Sequence, residues 1–312
     1  MKKALVTGGA GFIGSTVVRA LLDLGVSVRV LDDLSTGTVD NLDGLRRVEF
    51  LQGDVCDASA VIHAIAGVDT VFHLAASVGN KRSLDNPSRD AQVNLLGTIQ
   101  VLEACRAARV EKIVYSSSAG IFGELKTLPI AEDHPLVPET PYGVTKLAAE
   151  KMCLAYTQLY DIRAVCLRYF NVYGPRQRFD AYGNVIPKFV FTLLKGGDIE
   201  VYGDGQQTRD FVHARDVAQA NVKAALATEV TGVFNIGSGT RVTINDLIRI
   251  LRANGLEFSP TTGPTRSGDV RDSLADISSA RMAFGYKPSV DLARGVGEYV
   301  AWAKGEMDHK LA

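Results

Sequence analysis

The sequence predicts an α/β fold, a doubly wound parallel sheet followed by a smaller, mixed α/β region, and three observations predict it. Through the first half, short apolar runs alternate with longer amphipathic stretches, the pattern of strands and covering helices. A glycine-rich turn from Gly8 to Gly14 separates the first run from the first amphipathic stretch. After about Asn171 the alternation gives way to shorter, mixed elements.

In chain order, Ala4 to Thr7, Val26 to Leu31, Val48 to Gln52, Thr70 to Leu74, Lys112 to Ser116 and Arg163 to Arg168 read as strands. Several are apolar nearly throughout, as strands covered on both faces should be. Ile13 to Leu24 reads as a helix stopped by Gly25. Ala91 to Ala108 and Tyr142 to Tyr160 are further helices. Beyond Asn171 the expected elements are a helix from Ile186 to Leu194, strands at Glu200 to Tyr202 and Arg209 to Val212, a helix over 215–227 and a strand at Val233 to Ile236. A helix from Ile244 to Asn254, capped by Thr243, a turn-rich stretch from Thr261 to Asp269 and a helix from Leu292 to Lys304 complete the chain. The expected organisation is one domain over 1–171 and a second over 172–312, interleaved around 209–237.

Composition narrows the function. The 312 residues are 46% hydrophobic and 22% charged, enough for a sizeable core. A net charge of −1 gives no basic surface for nucleic acid. The four cysteines form no CxxC pair, and the five histidines show no metal-ligand spacing, so neither a disulfide scaffold nor a metal site is expected. The apolar run after Met1-Lys2-Lys3 is too short for a signal peptide, and no run of 18 apolar residues exists. The default expectation is a soluble, cytoplasmic protein.

The glycine turn predicts a dinucleotide. Gly9-Ala-Gly11-Phe-Ile-Gly14 fits G-x-G-x-x-G, and Gly8, Gly11 and Gly14 keep a three-residue spacing. Glycine permits the tight turn, lets backbone approach a pyrophosphate and lets the helix pack on the strand. The helix N-terminus then faces the anion. Asp32, 18 residues beyond Gly14, can accept both ribose hydroxyls and would repel a 2′-phosphate, as would Asp33. NAD is therefore favoured over NADP. Asp54 follows the third strand and is either an adenine acceptor or a helix cap. Asn94 lies within a helix, where asparagine needs a side-chain partner.

Ser116, Ser117 and Ser118 end the fifth strand, where ligands lie in open α/β sheets. Tyr142 and Lys146, four residues apart on a helix, share one face. An ammonium beside a phenol favours the phenolate and would lower its pKa. The three side chains describe a site that takes a proton from a hydroxyl while a nicotinamide takes the hydride.

TGGAGFIG, VLDDLSTG, HLAA, YSSSAGIFG, YGVTK and RYFNVYGPRQ, in this order, resemble the extended short-chain dehydrogenase/reductases. Within them the chain is similar to the UDP-glucose 4-epimerases and other nucleotide-sugar 4-epimerases, over nearly its whole length. The resemblance implies an NAD-binding Rossmann fold, a UDP-sugar substrate and a homodimer paired through two helices per subunit. It implies that Tyr142 is the acid/base, that Lys146 binds the nicotinamide ribose and that Ser118 holds the sugar 4-oxygen. The coenzyme surface extends by the same resemblance to Phe12, Ile13, Ser35, Gly37, Val55, Leu74, Ala75, Ala76, Ser116 and Tyr169. Asn171, Asn184, Val185 and Ile186 would meet the nucleotide sugar, Arg209 and Arg266 would grip the diphosphate, and Asp269 would accept the nucleotide ribose. Guanidinium groups suit phosphate on their own chemistry as well.

Two departures sharpen the expectation. Related dehydratases carry an Asp-Glu pair just after the serine, and related decarboxylases a glutamate; here Ala119 and Gly120 stand there. That leaves simple redox at one carbon, as an epimerase needs. Ser273 occupies what looks like the position of a bulky tyrosine in epimerases restricted to non-acetylated hexoses, so N-acetylhexosamine forms are expected to fit. The alternatives are a nucleotide-sugar 4-ketoreductase and, in another class, a non-catalytic NAD-sensing protein.

Overall fold

The structure is a computed structural model that describes residues 1–179, 184–264 and 271–311. Arg266 and Asp269 therefore lie outside the described residues. Seven strands form the main sheet: β1 (Lys3–Thr7), β2 (Ser27–Asp32), β3 (Val48–Gln52), β4 (Thr70–His73), β5 (Lys112–Ser118), β6 (Arg163–Tyr169) and, far along the chain, Gly232–Ile236. With this last strand numbered β11, the order is β11-β6-β5-β4-β1-β2-β3, every neighbouring pair parallel. The order reverses between β1 and β4, the switch point where open α/β sheets bind ligands.

Helices cover both faces. On one, α1 (Phe12–Asp23) packs against α8 (Ala214–Leu226), burying Val17, Val18, Leu21, Val217 and Ala220. On the other lie α2 (Ala58–Ile65), α5 (Thr98–Ala108) and α6 (Pro141–Leu159), with Val61, Ile65, Val101, Leu102, Ala149 and Cys153 beneath them. Two short helices, α3 (Asn80–Asp85) and α4 (Pro87–Ala91), lead into the last pair. The helix expected from Ala91 to Ala108 is broken: a π-helical turn occupies Gln92–Gly97 before α5 begins. Such turns are frequent at functional sites, and this one carries Asn94.

The remaining elements build a second, smaller core. Here β7 (Asn171–Tyr173) pairs with β10 (Phe211–His213), β8 (Glu200–Tyr202) with β13 (Thr261–Gly263), and β9 (Thr208–Arg209) with β12 (Val242–Thr243). The single strand expected from Arg209 to Val212 is thus two, split at Asp210. Asp210 turns fully inward and accepts from the Ser238, Gly239 and Ala275 amides. Helices α7 (Val185–Leu194), α9 (Ile244–Ala253) and α11 (Leu292–Leu311) meet over Phe189, Val190, Leu247, Leu251, Tyr299 and Val300, with α10 (Ser278–Phe284) beside β11. Thr243 caps α9 in a capping box with Asp246. Through α8 and β11 the chain returns to the main sheet after leaving it at β6. No helix among the described residues is long and apolar enough to cross a membrane.

Candidate active site

The glycine turn is tight enough to need its glycines. Gly8 has φ +69°, and a Cβ there would fall 2.7 Å from the Ala75 nitrogen; a Cβ on Gly14 would lie 2.0 Å from the Gly8 oxygen. Helix α1 starts at Phe12 and Ile13 with no side-chain cap on its N-terminal amides. That leaves donors and the positive end of the helix dipole for an anion, the arrangement a pyrophosphate fits. Asp32 closes β2, almost fully buried. Its Oδ2 accepts from the Ala10 amide and its Oδ1 from the Leu34 amide, each at 2.9 Å. Burial pushes this carboxyl above its usual range against those two bonds, and Asp33 adds to the rise. Each oxygen retains a lone pair for a ribose hydroxyl.

The neighbouring coenzyme candidates are placed as follows. Asp33 Oδ1 accepts from Ser35 N and Oγ, and Gly37 packs against the Ala10 backbone. Asp54 caps no helix; Asp57 caps α2. Instead Asp54 binds Arg89 at 2.8 Å, whose guanidinium also lies 3.6 Å from Asp33. Val55 is buried against Gly97. The segment Leu74, Ala75, Ala76 leaves β4 alongside the glycine turn, its first two amides donating to Thr7 O and Thr7 Oγ1.

His73 fixes this corner. Thr98 Oγ1 donates to Asn94 O, so it accepts from His73 Nε2 at 3.0 Å; Ala75 N donates to Thr7 Oγ1, whose proton goes to His73 Nδ1 at 2.7 Å. Burial, with Lys146 nearby, pushes the imidazole down to about 3, so it stays neutral. The Asn94 side chain is taken by protein: Oδ1 accepts from Ser77 N, and Nδ2 donates to Ser77 O and Thr145 Oγ1. These bonds hold the loop after β4.

At the carboxyl ends of β5 and β6, the register sets Ser118 beside Tyr169. The Tyr169 hydroxyl, deeply buried, pairs with Asn221 and Ser116, which binds this end of the sheet to α8. Ser117 points the other way, donating to Glu150 at 2.7 Å. Glu150 is itself gripped by Arg168 at 2.8 and 3.0 Å in a fully buried ion pair. The strand's period of two thus sends Ser117 into the core and Ser118 toward the crevice.

Ser118 Oγ accepts from the Gly120 amide and is hydrogen-bonded to the Tyr142 phenol. A Cβ on Gly120 would lie 3.3 Å from Ser118 Oγ and 3.6 Å from the Tyr142 ring, so this position sits against the Ser118–Tyr142 pair. Thr140 caps α6, accepting from the Gly143 amide, and Pro141 starts its first turn. Lys146 is buried below Tyr142, its Nζ 4.4 Å from the centre of the Tyr115 ring. Burial pushes it down to about 8, opposed by Cys153, Asp90, Cys166 and Glu150.

One expectation is corrected. The Tyr142 phenol is raised from its usual value, not lowered: burial dominates, the Ser118 bond opposes it, and Asp90 adds to it. The i, i+4 spacing puts both groups on one face, but the Lys146 ammonium addresses the Tyr115 ring. Helix spacing fixes the two backbones on one face and leaves the long lysine side chain free to turn.

A cavity of about 410 Å³ opens in the second region. It brings together Asn171, Asn184, Val185, Ile186 and Arg209, all singled out in the sequence. Tyr202, Gln207 and Lys188 also line it and gave no sequence signal. Arg209 is aligned by its bond to Thr208 O at 2.8 Å. Ser273 is buried in the segment whose neighbour Asp272 accepts from Thr208.

A glycine cradle, an acid after β2 and a Ser-Tyr-Lys set at the strand ends define a dinucleotide-dependent oxidoreductase-type site. The chain belongs to the NAD dependent epimerase/dehydratase family, whose profile matches residues 4–237. It is 39% identical over 310 residues to a UDP-glucose 4-epimerase of Mycolicibacterium smegmatis, covering 97% of this chain and 99% of that one. A protein named dTDP-glucose 4,6-dehydratase from an Actinoplanes species is 36% identical, covering 96% and 97%. Among solved structures, UDP-N-acetylglucosamine 4-epimerase from Methanobrevibacter ruminantium M1, in complex with UDP-N-acetylmuramic acid, superposes with a TM-score of 0.93 at 35% identity. That match covers 98% of this chain and 99% of that one. The protein is an extended short-chain dehydrogenase/reductase with a Rossmann-type fold, and its cofactor is NAD.

Proposed function

We propose that this protein is a nucleotide-sugar 4-epimerase that interconverts UDP-glucose and UDP-galactose, and their N-acetylhexosamine forms, through a transient 4-keto sugar. The observation that carries the reading is the Ser118–Tyr142 pair with Ala119 and Gly120 beside it. Proton exchange with one hydroxyl is provided for, and the acids needed for dehydration or decarboxylation are lacking.

NAD, when bound, supplies the acceptor and donor of the C4 hydride. Tyr142 takes the proton of the sugar 4-hydroxyl and returns it to the 4-keto oxygen, with Ser118 holding that oxygen. A phenol raised by burial must lose its proton for the first step, and Lys146 as an ammonium would favour that loss once its side chain turns to the ribose and phenol. Arg209 and Asn171 keep the diphosphate anchored while the keto sugar turns its other face. The lobe formed by residues 1–171 would carry the coenzyme and 172–312 the nucleotide sugar, with α8 and β11 lent back to the first.

The test is incubation of the purified protein with UDP-glucose, UDP-galactose, their N-acetyl forms and the uronates, without added reductant, followed by NMR. Interconversion at C4 is expected. Turnover that consumes stoichiometric NADH would show a 4-ketoreductase, and NAD binding with every sugar unchanged would show a sensor. Replacing Ser273→Tyr is expected to abolish N-acetyl turnover and spare UDP-galactose; retained N-acetyl turnover would refute the wider substrate range.

A further inference from the structure

Behind the Tyr142–Lys146 pair lies a carboxylate that proton transfer at the sugar does not use. Asp90, in the short helix α4, is fully buried. Its Oδ2 accepts from Thr145 Oγ1 at 2.6 Å; its Oδ1 has no hydrogen-bond partner, and among the described residues no cation pairs with it. Thr145 sits on α6 between Tyr142 and Lys146, and its hydroxyl also lies 3.1 Å from Tyr142 O. Asn94 Nδ2 donates to that hydroxyl at 3.2 Å. A buried carboxylate oxygen without a donor is costly to keep and calls for an explanation. The chain Ser77–Asn94–Thr145–Asp90 locks it against the catalytic helix.

We propose that Asp90 is a positioning residue of the active site: a fixed buried charge, tethered through Thr145, that sets the proton affinity of the Tyr142–Lys146 pair. The proposal rests on the reading of Tyr142 as the acid/base.

The other groups around Lys146 contribute less charge. Glu150, one turn along α6, is neutralised by Arg168 from β6 and bound by Ser117 from β5. Cys166 on β6 and Tyr115 on β5 are pushed well above their usual values by burial and stay protonated. Cys153 on α6 is a buried thiol, and His73 on β4 is neutral. Among the described residues here, Asp90 is the one carboxyl without a cationic partner. It acts on both members of the pair in one direction, toward holding their protons. It keeps Lys146 an ammonium near neutral pH, against burial, at the cost of a less acidic phenol.

The experiment is a titration of the NAD-loaded holoenzyme labelled with ζ-¹³C tyrosine and ε-¹³C lysine. The Tyr142 and Lys146 resonances are assigned with Tyr142→Phe and Lys146→Met. Asp90→Asn removes the charge and keeps an acceptor for Thr145. Both macroscopic midpoints are expected to fall, by about one pH unit. Asp90→Ser is expected to move them the same way, so the result does not hang on one variant folding. Asp90→Glu is expected to restore them toward wild type. In kcat/KM both limbs of the pH profile should shift to lower pH by the same amount. Midpoints that stay in place in Asp90→Asn and Asp90→Ser, whatever happens to rate or melting temperature, would overturn the proposal. Because the titration needs no sugar, failure of the epimerase reading would appear separately, as wild-type protein that leaves every sugar unchanged.

Discussion

The two ends of the crevice are built from different materials. At the coenzyme end, backbone does the work: uncapped α1 amides, glycines without room for a Cβ, and an aspartate whose two oxygens are already held by amides. At the other end, proposed for the nucleotide sugar, side chains line an open cavity and come from separate segments, Asn171 from β7, Asn184 before α7 and Arg209 from β9. A backbone cradle recognises what all dinucleotides share. A cavity of side chains can be altered one residue at a time. Between the two ends, Ser118, Tyr142 and Lys146 are backed by buried ionic and hydrogen-bonded networks.

That contrast can be broken or sharpened by substitution. The largest effect belongs to Tyr142→Phe, which should cut turnover by at least about 10²–10⁴-fold while leaving the bound NAD, read from the nucleotide released on denaturation, unchanged. Glu150→Ala leaves Arg168 buried without its partner and should cost about 3–5 kcal/mol in urea unfolding. Lys112, buried on β5, donates to Ala227 O, Thr228 O and Val230 O beyond the end of α8. Lys112→Met should cost about 1–3 kcal/mol, since those carbonyls lose their donor. Burial pushes Lys112 down to about 8, so between there and 10.5 the unfolded chain holds more protons and stability gains with pH. Lys112→Met should flatten that rise in a series of thermal melts. The smallest effect is at the open end. On the proposed role of Arg209, Arg209→Lys should raise KM about tenfold with kcat little changed, because an ammonium would replace a fork suited to two phosphate oxygens. A large loss of kcat there would show that the cavity, too, is built into the chemistry.

The sheet strands, the glycine turn, Asp32 and the Ser-Tyr-Lys set were legible because each is written in local spacing. So were the α9 cap and the residues that converge on the cavity, the latter through resemblance. What could not be read depends on distant partners. The partners of Asn94, Ser77 and Thr145, lie on other elements. Asp54 was weighed as a cap, a task that falls to Asp57, while Arg89 claims Asp54. His73, Asp90 and Glu150 carried no signal, since their partners lie on other elements. The π-helical turn hid inside a pattern that fits an unbroken helix, and Asp210 split a strand because four donors converge on its carboxylate.

The return of Gly232–Ile236 to the flank of β6 has a consequence for synthesis. A nascent chain that has just delivered Tyr169 holds six strands with β6 as a bare edge, and α1 still lacks its partner helix. The helix gap cannot close until Leu226 has cleared the ribosome, nor the strand gap until Ile236 has. By then β7, α7 and β8 to β10 have already been made, so the ribosome completes neither lobe before it has begun the other.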